Sequence, residues 1–107
     1  MSEHIVVLIT TPNVPEAEAI ATQLLERRLI ACANLVPGVG SFFRWEGKID
    51  RAEEVLLVMK TRRDLLDSLI ARVRELHSYE VCEVIALPIV GGSEPYLRWI
   101  DESTTRP

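Results

Sequence analysis

The sequence predicts an α+β domain in which four strands and two long helices follow the order β-α-β-β-α-β, with a short C-terminal helix. Two observations lead to this prediction. Short runs rich in valine and isoleucine are typical of strands, and other segments repeat apolar residues at steps of three and four, which indicates amphipathic helices. A chain of 107 residues suffices for one domain, residues 1–107, and is too short for two.

The first strand is followed by residues that are typical of a helix N-terminus. Residues 5–11 are almost all β-branched or apolar and are predicted as a strand. Asn13 can cap the helix that follows, Pro15 fits its first turn, and Glu16 stands at the third helical position, as in a capping box. The helix is therefore predicted to begin directly after Asn13.

The second and third strands are predicted to form a hairpin. Residues 30–45 read as a strand bent at Pro37–Gly38, because proline cannot donate to a ladder and glycine permits a kink. Glu46–Gly47 is a plausible tight turn, and residues 53–60 form the third strand. The charged residues around the start of this strand are interpreted as solvent-exposed: Asp50, Arg51, Glu53 and Glu54.

The second half of the chain repeats the helix–strand pattern. Thr61 is the predicted N-cap of the clearest helix, whose apolar stripe has a 3.6-residue period. Residues 83–90 form a fourth strand, and Ser93 caps the last helix after Gly91–Gly92. This order is the split βαβ, or ferredoxin-like, pattern, and right-handed crossovers place both long helices on one face of the sheet.

Three strands are apolar at consecutive positions, which predicts self-association. Ile5–Ile9 and Val55–Met59 contain no polar residue, and Pro88 is the one break in Val84–Val90. Both sheet faces are therefore apolar, yet two helices cover only one face, and a short last helix cannot cover the other. Soluble monomers rarely expose so large an apolar patch, so we expect a homo-oligomer in which the long edge strand pairs with a neighbour.

Composition and motifs argue against several classes of function. The net charge is −4 and no basic stripe is present, so nucleic-acid binding is not expected. No 18-residue apolar run predicts a membrane span, and the first residues, Met1–His4, lack the features of a signal peptide, so a cytoplasmic location is expected. GxSxG, HExxH and phosphate-binding glycine loops are missing, which favours a protein that is not an enzyme.

Residues at the end of the second helix are candidate metal ligands. His77 is followed by Glu80 and Cys82, and imidazole, carboxylate and thiolate together suit copper or zinc. The alternative is that His77 simply ends the helix, where its cation would meet the negative helix end. Cys32 is either a small buried apolar residue or a fourth, thiolate ligand. The two cysteines lie on opposite edges of the predicted sheet and are expected to be free thiols.

Several segments resemble one known family, the CutA divalent-cation tolerance proteins. The resemblance extends over about residues 5–103 and is carried by these segments: Ala31–Leu35, Ser41–Ile49, Glu54–Thr61, His77–Glu83 and Tyr96–Ile100. It implies a ferredoxin-like subunit, a homotrimer resembling the PII signalling proteins, and copper or other divalent-cation binding. This chain has Ser78 and Cys82 where the family usually has proline, and Thr10–Thr11 where many members have a cysteine.

Four further residues within these motifs are candidates for an intersubunit cleft: Trp45, Lys48, Lys60 and Tyr79. They can pack at a subunit interface, where Trp and Tyr are favoured, or line a ligand cleft in which Lys60 meets an anion. Three functions follow. The chain is a metal-tolerance trimer that binds copper or another divalent cation and requires no cofactor, a PII-like module that binds a small anion or metabolite, or a structural anchoring trimer.

Overall fold

A computed structural model describes residues 3–105. Met1 and Ser2, which belong to the segment predicted not to be a signal peptide, lie outside the described residues. Within that range the sheet has four strands: β1 (His4–Thr11), β2 (Cys32–Trp45), β3 (Lys48–Arg62) and β4 (Ile85–Pro88). The α-helices are α1 (Val14–Glu26), α2 (Leu66–Leu76) and α3 (Glu94–Thr104). None of these helices is long and apolar enough to cross a membrane.

The strand order confirms the ferredoxin-like prediction. The sheet is antiparallel with order β2-β3-β1-β4, so β2 and β4 are the edges. The central strand β1 pairs with β3 from His4↔Arg62 to Thr11↔Val55. Cys32 on β2 and Cys82 before β4 therefore lie toward opposite edges, and both are free thiols, as predicted.

The core lies between the two long helices and one face of the sheet. Alternate residues of β1 and β3 are buried on this face, and they pack against apolar residues of α1 and α2. Its fully buried members include Val7, Ile9, Leu24, Leu57 and Leu69. Each such side chain stabilises the fold by about 1.5–3 kcal/mol relative to an exposed one. Both long helices thus cover the same face, as the crossover rule predicts.

The start of α1 confirms the predicted cap but not the capping box. Asn13 has extended backbone and its side-chain oxygen accepts a hydrogen bond from the Glu16 backbone N–H at 2.9 Å. The Glu16 carboxylate does not return to Asn13. Its Oε2 accepts hydrogen bonds from Ser78 N (3.0 Å) and Ser78 Oγ (2.9 Å) instead. A residue of the helix start therefore anchors the loop that follows α2.

The prediction that Thr61 caps α2 is wrong. Thr61 lies within β3, and its buried hydroxyl donates to the Leu29 carbonyl oxygen at 2.7 Å, which tethers the loop after α1 to the sheet. The helix begins later, after a 3-10 turn over Arg63–Leu65, without a side-chain cap. Ser93 does hold the N-cap position of α3, but its side chain makes no capping hydrogen bond.

The strand bounds differ most at the β2–β3 hairpin, because β3 starts at Lys48 and not at residue 53. Residues 39–54 of the hairpin pair with each other beyond the point where β1 ends, and we call this segment the arm. Its turn residues have φ values of 50° (Glu46) and 78° (Gly47), which identifies the tight hairpin turn that the sequence predicts. The arm carries exposed apolar side chains, including Phe42 (70% exposed) and Ile49 (75% exposed).

The second sheet face, which we call the open face, is only partly covered by α3. Ile100 is buried there, and three polar contacts join α3 to residues of this face: His4–Asp101 (2.9 Å), Cys32–Tyr96 (3.4 Å) and Arg62–Thr104 (2.9 Å). Val36, Ile85 and Leu87 nevertheless remain exposed. The expectation that the last helix cannot cover the second face of a single chain is therefore confirmed for the described residues.

Candidate functional site

A cleft of about 700 Å³ lies between the arm and the loop that follows α2. Its walls come from three parts of the fold: the arm, the end of β1 and the loop. The lining residues are Thr10, Ser41, Phe42, Phe43, Arg44, Trp45, Asp50, Glu54, Tyr79, Glu80, Val81 and Glu83. A volume of this size suits a small ligand.

Glu54 is the buried acid of this cleft. The interpretation of residues 50–54 as a solvent-exposed charge run is wrong for Glu54, which is only 8% exposed, although Asp50, Arg51 and Glu53 are exposed. Its Oε2 accepts a hydrogen bond from the Tyr79 hydroxyl at 2.9 Å. Among residues 3–105, no Lys, Arg or His nitrogen forms an ion pair with its carboxylate.

The charges that line the cleft are mainly negative. Asp50, Glu54, Glu80 and Glu83 contribute carboxylates, whereas Arg44 is the one cationic residue of the lining. Because clefts with low-dielectric walls focus the field of their charges, this arrangement attracts cations and repels anions.

Burial and the neighbouring acid raise the pKa of Tyr79 to about 12, because the phenolate would lose hydration and stand beside the Glu54 carboxylate. The pKa of Tyr96 is likewise raised to about 12, first by its hydrogen bond with Cys32 and then by burial. Both tyrosines of the chain therefore stay neutral well above the pH at which a free phenol ionises.

We expect a tyrosine titration of the folded protein, followed by absorbance at 295 nm, to have its midpoint near pH 12. Unfolded tyrosines ionise near pH 10. The stability that the raised pKa values provide is complete below about pH 10 and is lost as pH rises through 12, since the unfolded state then binds fewer protons. In the Tyr79→Phe variant the titration reports Tyr96 alone. A midpoint near pH 10 in the folded wild-type protein would contradict the hydrogen-bonded, partly buried placement of both tyrosines.

The ring nitrogens of His77 are both engaged. The side chain is fully buried, with Nε2 at 2.6 Å from the Thr10 carbonyl oxygen and Nδ1 at 3.0 Å from the Tyr79 backbone N–H. A carbonyl can only accept and a backbone N–H can only donate, so Nε2 carries the hydrogen in the neutral ring. Glu16 Oε2 lies 3.4 Å from Nδ1. A metal ion on His77 would have to replace one of these hydrogen bonds.

The structure does not bring the four predicted metal ligands together in one chain. Glu80 lines the cleft and is exposed, whereas Cys82 packs against the edge of the core. Cys32 lies at the start of β2, beside Tyr96. Within residues 3–105, no three His, Cys, Asp or Glu side chains are placed to hold a metal ion.

Of the four residues predicted for an intersubunit cleft, two line the cleft of the single chain. Trp45 and Tyr79 line it. Lys48 follows the hairpin turn and is not part of the lining, and Lys60 lies toward the far end of β3, where its Nζ donates to Asn34 Oδ1. Lys60 is therefore remote from this cleft of one chain, and its predicted place in a cleft between subunits stays a prediction.

The sequence reasoning missed Glu54 as a cleft residue, although a signal was present. Side chains two residues apart share a face of a strand, so Glu54 lies on the same face as Leu56 and Val58 and interrupts an apolar series. The other missed lining residues gave no such signal, since their proximity depends on how the loop after α2 folds against the arm.

Comparison with known protein families and sequences identifies the same family in each case. Residues 5–103 match the family described as CutA1 divalent ion tolerance protein. The chloroplastic CutA protein of Arabidopsis thaliana is 47% identical over 100 residues, which cover 94% of this chain and 55% of that protein. The divalent-cation tolerance protein CutA of Thermus thermophilus is 46% identical over 99 residues, which cover 92% of this chain and 96% of that protein.

Solved structures agree with the sequence comparison. The crystal structure of CutA1 from Oryza sativa superimposes with a TM-score of 0.94 at 44% identity, covering 99% of this chain and 97% of that one. The chain spans just over half the length of the plant relatives that it matches in sequence, and nearly the whole of the Thermus protein.

Proposed function

Since the chain belongs to the CutA1 divalent ion tolerance protein family, we propose that it acts in metal tolerance as a cytoplasmic homotrimer that binds divalent ions, copper foremost. The observation that carries the proposal is the charge of the cleft, where four carboxylates face a single guanidinium. Such a surface favours cationic ligands over anionic ones.

The apolar surface that stays exposed on a single chain supports self-association. The open face retains exposed Val36, Ile85 and Leu87, and the arm extends as a two-stranded ribbon. Isolated two-stranded hairpins are marginally stable in water. A neighbouring copy that packs against the arm would therefore stabilise it and cover apolar surface at the same time. Three copies are proposed from the resemblance to trimeric PII-like assemblies.

Metal binding in this proposal depends on assembly. Three donors do not converge within residues 3–105 of one chain, so a complete site would combine donors from neighbouring copies. His77, Glu80, Cys82 and Cys32 are the proposed sources of these donors. Imidazole and carboxylate suit Cu(II), whereas the two thiols favour Cu(I).

The PII-like alternative has less support from the geometry. An anion-binding cleft needs positive charge, and within one chain Lys60 is bonded to Asn34 and Lys48 lies outside the lining, so a neighbouring copy would have to bring such charge to the cleft. A purely structural trimer would use the same interface without any ligand.

Calorimetric titration with Cu(II), Zn(II) and ATP tests these three functions on one sample. We expect Cu(II) to bind, ATP not to bind, and Glu80→Gln to weaken Cu(II) binding about tenfold, whereas Glu18→Gln on the exposed side of α1 leaves it unchanged. Binding of ATP but not of metal would replace the proposal by the signalling alternative, and binding of neither would leave the structural trimer.

A further inference from the structure

We propose that Glu16 locks the loop that follows α2, residues 77–84, and that this loop opens as a unit when the lock is broken. The closed loop withholds the His77 ring from any ligand, and opening releases it. The inference adds a conformational step to the proposed function, on which it rests because His77 is a proposed metal donor. The contacts of the lock lie within one chain, and neither Glu16 nor Ser78 lines the cleft beside the arm.

The lock is a single carboxylate oxygen. Glu16 Oε2 accepts hydrogen bonds from both donors of Ser78, the backbone N–H at 3.0 Å and Oγ at 2.9 Å, and it lies 3.4 Å from His77 Nδ1. Hydrogen bonds to an ionised group are roughly twice as strong as those between neutral groups. The Asn13 side chain accepts from the Glu16 backbone N–H, so the carboxylate projects from a fixed helix start. One side chain of α1 therefore secures the beginning of the loop.

The loop is only lightly packed against the rest of the chain. Its residues form neither helix nor strand, and Cys82 and Val84 pack against the edge of the core. Segments with few buried apolar contacts open locally at a lower free energy than the whole fold. The loop can therefore open while β1 and α2 stay folded. Half of its side chains are exposed: Ser78, Glu80, Val81 and Glu83.

The closed loop occupies both ring nitrogens of His77. Nε2 donates to the Thr10 carbonyl oxygen, Nδ1 accepts from the Tyr79 backbone N–H, and the side chain is fully buried. Ser78 stands between His77 and Tyr79, so the loss of its two bonds to Glu16 frees the backbone on both sides. Opening exposes the imidazole and breaks its bond to the Tyr79 N–H. A ligand of His77 binds only the open fraction, and its apparent affinity is reduced by that fraction.

Modification of histidine by diethylpyrocarbonate, on the full chain in EDTA, tests the inference without metal. At about pH 8 a free imidazole is neutral, so the rate reports access to the ring. His4 and His77 are the two histidines of the chain, and mass spectrometry of their peptides separates them. We expect Glu16→Ala to speed modification of His77 by about tenfold or more and to leave His4 unchanged. Glu18→Ala, on the exposed side of the same helix, should change neither rate.

Hydrogen exchange of the Tyr79 amide is the second measurement, because its acceptor is His77 and not Glu16. In Glu16→Ala this amide should exchange faster by a factor similar to that of the His77 modification. Ser78→Ala removes one of the two bonds to Glu16, so both rates should rise by a smaller factor. This variant replaces Glu16→Ala if circular dichroism shows that the latter does not fold.

Three results would overturn the inference. Unchanged modification of His77 in Glu16→Ala would show that the lock does not control the loop. Faster exchange at Ser78 alone would show the loss of one local hydrogen bond without opening. An equal rise in exchange across β1 and α2 would show that the whole fold is destabilised. Because these measurements contain no metal, their outcome is independent of the Cu(II) titration, and absence of Cu(II) binding would refute the proposed function while leaving the lock intact.

Discussion

Replacing Val58 by aspartate is expected to convert the oligomer into monomers. Val58 lies on the open face, opposite Leu8 on β1 and Asn34 on β2, and this is the face that a neighbouring copy is proposed to cover. A carboxylate there remains partly hydrated in one chain but is buried without a partner in the assembly. That burial costs several kcal/mol per subunit, so association should weaken by orders of magnitude.

Light scattering after size-exclusion chromatography measures this effect. Val58→Asp should elute at the mass of one chain, 12.1 kDa, while wild type and the nearly isosteric Val58→Thr elute as larger species. The melting temperature of the wild type should rise with protein concentration, and that of Val58→Asp should not. A wild-type mass of a single chain at micromolar concentration would refute the homo-oligomer outright.

Element order could be predicted from the sequence because it depends on local periodicity. The apolar stripe of α2 and the β-branched run of β1 each identify their element without reference to the rest of the chain. The start of β3 could not be predicted in this way, because residues 48–54 are largely charged or exposed. They are a strand only because the turn at Glu46–Gly47 pairs them with β2.

Helix starts were also only partly predictable from local sequence. Asn13 was predictable as a cap, since its side chain bonds a backbone N–H three residues away. Thr61 has an equally suitable side chain, but a carbonyl 32 residues distant, at Leu29, receives its hydrogen bond. Both side chains could cap a helix, and a tertiary hydrogen bond, which the local sequence does not specify, prevents Thr61 from doing so.

The candidate site was less predictable than the fold. Trp45 and Tyr79, which family motifs identified, line the cleft of a single chain, whereas β3 carries Lys60 toward the opposite end of the sheet. The prediction that Lys60 belongs to a cleft between subunits stays a prediction. In the sequence Glu54 stands in a run of charged residues that indicates exposure, whereas in the structure its strand lies beside Tyr79, which donates a hydrogen bond to it. Proximity of this kind arises from strand length and loop folding, which residue types alone do not specify.

Replacing His77 by alanine is expected to lower the free energy of unfolding by about 2–4 kcal/mol, even without metal. The imidazole is fully buried and joins the end of α2 to the Thr10 carbonyl on β1 and to the Tyr79 backbone N–H. Alanine would leave a cavity and remove the partners of both backbone groups. Tyr79 would lose the contact that holds it beside Glu54, so the cleft should loosen as well.

Urea denaturation in EDTA, at one fixed protein concentration, measures the structural part of this effect. Glu80→Ala is the matched control, because Glu80 is an exposed neighbour and its replacement should change stability by less than about 0.5 kcal/mol. A loss that is fully present in EDTA shows that His77 stabilises the fold through its own hydrogen bonds. If the loss were absent in EDTA and appeared only with copper, the imidazole would act chiefly as a ligand, and its two bonds in the metal-free chain would contribute little.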